Sequence, residues 1–313
     1  MSVSLTIELS AVVVTIKDNE AMVLCLNLPD RRVALPSGPF MPEAHRTFDL
    51  AVRAFVAEQT GFSPGYVEQL YSFGDEGRQG LSSLAPEGPD EQQRVISLGY
   101  LALTSDSAFQ SALSASWRPY SAFFPWEDWR KGEPATLSGL RQALRQWCDD
   151  APDLPSTADR RGRIETLFPA DADHWNEERV LDRYELLYSA GLIGESARPS
   201  QTSVSSGCEM MSDHRRILAT GLSRLRGKLK YRPVIFELMP ERFTQLELQK
   251  SLEAVSGFGL HKQNFRRALE RTGFVTPTAA YRDDTGGRPA ELYAYNRDQF
   301  RFSPSLGLSL PRA

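Results

Sequence analysis

Apolar and polar positions change period several times along this chain, and each change marks an element. Residues 4–28 hold two runs rich in branched apolar residues, AVVVTI and AMVLCL, on either side of Lys17-Asp18-Asn19-Glu20. Runs of this kind around a polar turn predict two strands. ALPSGPF follows, a loop punctuated by Pro and Gly. Over 47–60 the apolar positions Phe48, Val52, Phe55 and Val56 recur at helical spacing. Gly61 suits the position just past that helix, where a left-handed residue closes the last turn. YVEQLYSFGD and RVISLGYLAL then predict two strands, joined by a polar, Gly/Pro-rich loop at 76–93.

The middle third is less regular. FFPWEDWRKGEP is dense in aromatics and proline. LSGLRQALRQW (137–147) has helical periodicity, DDAPDLPSTADRRGR is expected to be a loop, and NEERVLDRYELLYSAGL predicts a helix ending near Gly191. Residues 195–212 are rich in Ser and small residues and are expected to form a linker. Beyond them, RRILATGLSRLRGKLKY places Leu218, Leu222, Leu225 and Leu229 on one helical face, stopped by Pro233. Thr244 with Glu247 three residues later predicts a capping box. HKQNFRRALERTGF predicts a short helix with Phe265, Ala268 and Leu269 inward and Gly273 as its stop. TPTAAYR and AELYAYN predict a hairpin around DDTGGRP. Three helices followed by a Gly-tipped hairpin is the layout of a winged helix-turn-helix. The expected division is a first domain at 1–104, a mostly helical extension at 105–194, the linker at 195–212, the winged helix at 213–302 and a tail at 303–313.

Charge sharpens this division. The net charge is −4, yet residues 213–302 carry 17 Lys and Arg against 10 Asp and Glu, whereas residues 1–212 carry 18 against 30. Such asymmetry points to two domains, the second meeting a polyanion. Cys25, Cys148 and Cys208 fit neither a zinc site nor a disulfide framework, and the four histidines are scattered. No apolar run approaches the roughly 18–20 residues that span a bilayer, and the first residues do not read as a signal peptide. A reducing cytoplasm and no membrane contact are expected.

The helix at 47–60 and its flanks resemble the Nudix hydrolases across residues 4–104. That family's motif is G-x5-E-x7-R-E-U-x-E-E-x-G-U, with U bulky and apolar. Anchored on Gly61-Phe62, its paired glutamates fall on Glu58 and Gln59, its Arg-Glu pair on Ala54 and Phe55, its first Glu on Arg46 and its first Gly on Phe40. Gly38 lies two residues too far upstream. Hydrolysis of a pyrophosphate needs a divalent metal, and magnesium needs several oxygen ligands. Positions 55, 58 and 59 share one side of a helix, and here they offer one carboxylate. The resemblance therefore implies a Nudix-like α/β/α sandwich with no catalytic residues and no metal. Arginine forks match phosphate oxygens, so Ser37, Arg46, Arg53 and Arg78, with Glu58, are the candidate ligand-binding residues. Arg46 in place of a glutamate favours direct binding of an anionic ligand.

In the last domain, burial of Phe265, Ala268 and Leu269 leaves Lys262, Gln263, Arg266, Arg267 and Glu270 on the other side of the helix. Lys, Arg and Gln are the side chains that meet base edges and phosphates in a major groove. Arg282 and Arg288 flank the hairpin tip. Arg215, Arg216, Arg224, Arg226, Lys228 and Lys230 on the preceding helix add phosphate contacts or serve solubility alone.

Taken together, VEQLYSFGDEGR, RVISLGYLAL, RLRGKLKYRPVIFELMPERFTQLELQKSLEAVSG and KQNFRRALERTGFV resemble the Nudix-related transcriptional regulators of NAD metabolism, the NrtR type. LPSGPF…HRTFDLAVRAFVAEQTG, FFPWEDWR and NEERVLDRYELLYSAGL look most like the branch described as NAD-biosynthesis regulators of alphaproteobacteria. The resemblance covers about 1–104 and 213–302. It implies an α+β chain, a Nudix-like sandwich followed by a winged helix-turn-helix, acting as a dimeric repressor on palindromic operators of NAD synthesis or salvage genes. It implies no required cofactor and an effector nucleotide: ADP-ribose, NAD or ATP. Lys262, Gln263, Asn264, Arg266 and Arg267 fall in the recognition helix, and Arg282 and Arg288 in the wing. Glu127, Asp128 and Arg130 form part of the ligand site or cap an aromatic core. The alternative function is an active Nudix pyrophosphohydrolase on ADP-ribose or a related nucleotide, drawing carboxylates from Glu43 or Asp75.

Overall fold

The structure, a computed structural model, describes residues 4–29, 32–61, 64–74, 93–105, 115–200, 204–283 and 289–298. Strands β1 (Ser4–Lys17) and β2 (Glu20–Asn27) pair antiparallel. Asp18 and Asn19 between them take φ of 52° and 60°, the left-handed conformation a two-residue hairpin turn requires. β1 also pairs in parallel with β6 (Gln93–Leu103) along eleven residues, and β6 pairs antiparallel with β5 (Tyr66–Phe73). The short strands β3 (Val33–Ala34) and β4 (Ser37–Pro39) join β2 and β1.

Side chains alternate across a strand, and here both faces are buried. Leu9, Ala11 and Val13 of β1, with Leu98, Tyr100 and Ala102 of β6, pack on α1 (Phe48–Thr60) through Ala51, Val52, Phe55 and Val56. Val12 and Val14, with Leu101 and Leu103, face the opposite way, into the larger core. There the sheet is covered by α5 (His214–Leu229). Gly221 of α5 lies so close that a Cβ would stand 3.0 Å from Val12. The result is the expected α/β/α sandwich, with a winged helix after it.

The expected divisions move. Strand β7 (Ala115–Pro119), placed in the helical extension by sequence, pairs with β2 and completes the sheet, so the sandwich continues past residue 104. Residues 149–163 are not all loop: α3 (Leu154–Leu167) starts there, with Asp153 accepting from Ser156 N at 2.7 Å and Pro155 in its first turn. Leu167 is its one fully buried residue, so α3 has almost no apolar stripe to betray it; its caps specify it. α2 (Thr136–Asp149) and α4 (Val180–Ser189) bear out the other two expected helices, and Gly191 ends the second at φ 72°. The expected linker is packed against the sandwich. Cys208 N donates to Ala122 O at 2.7 Å, Met211 N donates to Val33 O at 2.8 Å, and Met210 and Met211 are buried.

α5, assigned by sequence to the winged helix, belongs to both parts. Its buried face meets the sheet, and its C-terminal half meets α6 (Gln245–Ser256). α7 (Lys262–Thr272) and the hairpin β8 (Val275–Arg282) and β9 (Ala290–Tyr295) complete the winged helix. The Phe243–Tyr293 bridge ties this hairpin to the segment before α6.

Candidate ligand pocket and nucleic-acid interface

α1 begins at Thr47, whose hydroxyl accepts from Leu50 N at 3.2 Å, and ends at Gly61 with φ 69°. Its two altered motif positions do different work. Phe55 is buried beneath β4, with its Cβ 3.5 Å from where a Gly38 Cβ would stand. Gln59 turns back to β4: its Nε2 donates to Ser37 O at 2.6 Å, and its Oε1 accepts from Ser37 N at 3.2 Å. A glutamate could accept that N–H but could not donate to that carbonyl. Thus Gln59 fastens the loop before α1 to the helix by an amide, where the family motif carries a metal ligand.

The ligand candidates divide accordingly. Ser37 is buried, its backbone held by Gln59, and its hydroxyl has no hydrogen-bond partner among the described residues. Glu58 and Arg46 are exposed. Arg53 is occupied: Nε donates to Asp49 at 2.8 Å, and its guanidinium also bonds the carbonyl oxygens of Pro64 and Gly65. It braces the loop after α1 and is not a free phosphate ligand. Arg78 and Asp75 lie outside the described residues. This donor set does not fit magnesium: one exposed carboxylate, a buried phenyl and a spent amide replace the carboxylates. Among the described residues no group of three or more His, Cys, Asp or Glu could hold a metal ion. An open cleft of about 840 Å³ lies on the other side of the sheet, between β5, α4 and α5, lined by Tyr71, Arg216, Arg224, Lys228 and Tyr231. None of the described ligand candidates lines it.

Glu127, Asp128 and Arg130 are structural. Glu127 is fully buried between two arginines, and Arg130 pairs with Asp128 at 2.7 Å and with Glu20 at 2.6 Å. Sequence reasoning also misread the basic helix α5. Arg215 and Arg226 are buried and bonded to Glu195 and Glu127. Arg216 pairs with Glu185, Lys228 with Glu68 at 2.5 Å, and Lys230 with Glu178 at 2.5 Å. Much of the charge asymmetry is thus a basic helix laid against an acidic body.

α7 contrasts with α5. Phe265 and Leu269 are buried, while Lys262, Gln263, Arg266 and Arg267 are exposed and Asn264 is half-buried. The three cations form no ion pair among the described residues. α6 before it carries the expected capping box, Thr244 with Glu247, and both α6 and α7 end on left-handed glycines, Gly257 and Gly273. Helix, tight turn and exposed basic helix make up a helix-turn-helix with an outward reading face. Arg282 does not face outward with them: it pairs with Glu247, pinning the wing to the start of α6. Burial pushes the Glu247 carboxyl up, but the Thr244 N–H and Arg282 outweigh it and hold the carboxyl below its usual range. Arg288 lies outside the described residues.

Fold and sites together define a Nudix-like sandwich that carries a winged helix-turn-helix. Residues 235–295 match the family described as the NrtR DNA-binding winged helix domain. A relative from Acinetobacter baylyi, described as "ADPR responsive transcriptional repressor NtrR", is 34% identical over 104 residues, which are 33% of this chain and 41% of that protein. The chain thus spans about two fifths of the length of that relative. The structure of Shewanella oneidensis NrtR complexed with a 27mer DNA covers 94% of each chain, with a TM-score of 0.55 and 21% identity. A MutT/nudix family protein from Enterococcus faecalis covers 95% of this chain and 88% of its own, with a TM-score of 0.51 and 14% identity. At these identities the two structures speak for the fold. No helix among the described residues is long and apolar enough to cross a membrane.

Proposed function

We propose that the protein is a nucleotide-responsive transcriptional repressor that binds double-stranded DNA as a homodimer on a palindromic operator. The observation that carries this reading is the exposed face of α7, with Lys262, Gln263, Asn264, Arg266 and Arg267, inside the segment that matches the NrtR winged helix. ADP-ribose is the favoured effector, by the description of the Acinetobacter relative, with NAD and ATP as the other candidates. Genes of NAD synthesis or salvage are the proposed targets. Arg46 and Glu58, exposed around α1, and the buried, unpartnered Ser37 hydroxyl remain the proposed ligand contacts, while Arg53 braces the loop after α1 through the Pro64 and Gly65 carbonyls. The sandwich binds without hydrolysing, because a metal-binding helix has become one that closes its own loop through Gln59 and Phe55. An effector that prefers one arrangement of the dimer shifts the population and alters the spacing of the two reading helices.

The test is direct. A duplex selected by the full chain from a randomised pool is titrated with protein, with and without ADP-ribose, NAD or ATP. Magnesium-dependent AMP release from ADP-ribose is measured alongside. Sequence-selective binding is expected, changed at least about fivefold by one nucleotide, with no turnover. Brisk turnover with no retention of any duplex would overturn the proposal.

A further inference from the structure

The aromatic stretch Trp126–Trp129 lies at the junction of the sandwich and the helix-turn-helix, and Glu127 is its centre. The Glu127 carboxylate accepts from Arg183 of α4 at 2.6 and 2.9 Å and from Arg226 of α5 at 2.7 Å. All three side chains are at most 1% exposed. Arg226 spends its other donors on carbonyl oxygens: Val255 at 2.9 Å, Glu177 at 3.1 Å and Glu127 itself at 3.3 Å. Val255 lies in the last turn of α6, the helix before the reading helix. Two residues after Glu127, Trp129 N donates to Gly257 O at 2.7 Å, and its ring stacks at 9° over Phe258 with centroids 6.0 Å apart. Gly257 is the left-handed stop of α6, at φ 78°, and a Cβ there would lie 2.3 Å from Glu127 O.

Four segments are therefore tied together around one carboxylate: the aromatic stretch carries it, both core helices bond to it through Arg183 and Arg226, and the end of α6 is joined to it through Arg226 and Trp129. A buried charge network of this kind resists partial opening, because separating one partner leaves an uncompensated charge in the interior. We infer that Glu127, held by Arg183 and Arg226, is the positioning residue that fixes the helix-turn-helix on the sandwich, so that sensor and reader move as one body within each protomer. The inference rests on the DNA-reading function proposed above and locates where its signal is transmitted. Effector binding then acts on the arrangement of two copies, and no swivel of the reader occurs inside one chain.

Spin labels at Ala54→Cys on α1 and Thr276→Cys on β8, both exposed positions, in a Cys208→Ser background, report the distance within one protomer. The labelled chain is mixed with excess unlabelled chain. A single narrow distribution is expected, unchanged in mean and width by ADP-ribose or by a selected duplex. Arg226→Met should broaden that distribution. It should also relax half-site spacing: about five inserted base pairs turn one half-site to the far side of the duplex, which should weaken the unsubstituted protein at least about tenfold and the variant far less. A purely structural residue would leave that spacing tolerance unmoved. If Arg226→Met does not fold, Glu127→Gln replaces it, and the unsubstituted distance alone still decides. A distance that shifts with ADP-ribose or DNA overturns the inference, as does a variant that stays narrow and spacing-strict. A chain that binds neither ADP-ribose nor any duplex defeats the repressor proposal, while the width of the free-protein distribution continues to test the inference.

Discussion

Gln59 shows how far spacing alone carries a reading at the level of the residue. The motif register located it, together with Phe55, as a position where a carboxylate is missing. Only the fold shows that its amide is spent on both backbone groups of Ser37. Gln59→Glu removes the donor and sets a carboxylate against the Ser37 carbonyl, so it should cost about 1–3 kcal/mol. Glu58→Ala, next to it but exposed, should stay within about 0.5 kcal/mol. Urea midpoints of the two variants check this, and equal midpoints would contradict the role given to Gln59. Arg53 and Arg282 teach the same lesson: an arginine near a site by sequence is not free until its partners are known. The cysteines differ in the same way. Burial pushes the Cys25 thiol up to about 12 and Cys148 is buried, whereas Cys208 is exposed. Thiolate, not thiol, is the reactive form, so a thiol reagent on the folded chain should consume one fast equivalent, abolished by Cys208→Ser. Two or more fast equivalents would contradict it.

Among the elements, those with strong periodicity or cap chemistry were legible and those specified by a partner were not. Branched runs marked β1, β2 and β6, and the capping box marked α6. α3 escaped because its signal was Asp153 and Pro155 and not an apolar stripe. α5 was recognised as a helix but misplaced, since a row of arginines looks the same whether it faces DNA or the acidic side chains of its own chain. The difference is measurable. Removing a phosphate contact lowers the salt slope of binding by about one per contact. Arg266→Ala and Arg267→Ala should therefore each flatten log K against log salt, while Lys230→Ala, just past the end of α5, should leave the slope alone. A flattened slope for Lys230→Ala would return α5 to the interface. Acid acts on the clamps between elements. Glu68, which joins β5 to α5, is pushed up by burial, yet Lys228 and Tyr66 bring its carboxyl below the ordinary 4.5, as Thr244 and Arg282 do for Glu247. A depressed carboxyl binds fewer protons folded than unfolded, so its contribution is present above 4.5 and is lost as pH falls through the lower folded value. Replacing both by Gln should flatten the dependence of stability on pH as pH falls below 4.5. An unchanged slope there would show that these clamps do not titrate with folding.

At the scale of the whole molecule, the sequence suggests a sensor, an extension, a linker and a reader in series, whereas the structure has one large core running through most of them. Val12 and Leu101 of the sheet, Trp126 and Trp175 of the aromatic belt, Leu218 and Leu225 of α5, and Leu252 and Leu269 of the helix-turn-helix belong to a single packed cluster. A linker between independent domains would show few crossing contacts, but here α5 is shared by both and the segment before it is bonded to the sandwich. Charge sign and residue periodicity cannot reveal this, because neither records which surfaces meet. The consequence is thermodynamic. Independent domains would unfold in separate steps, the smaller reader first. A shared core with Glu127, Arg183 and Arg226 at its centre should unfold in one step, since loss of α6 strips the cover from Trp129 and uncouples a buried arginine. Calorimetry of the full chain should give one transition whose van't Hoff and calorimetric enthalpies agree per cooperative unit, and tryptophan fluorescence, whose indoles all lie before α5, should coincide with far-UV circular dichroism. Gly257→Ala drives a Cβ into Glu127 O at a left-handed position. It should lower that transition by several degrees, as a loss of a few kcal/mol does in a chain of this size, and keep it single. Two resolved transitions in the unsubstituted protein would mean that the reader is hung on the sandwich and not built into it.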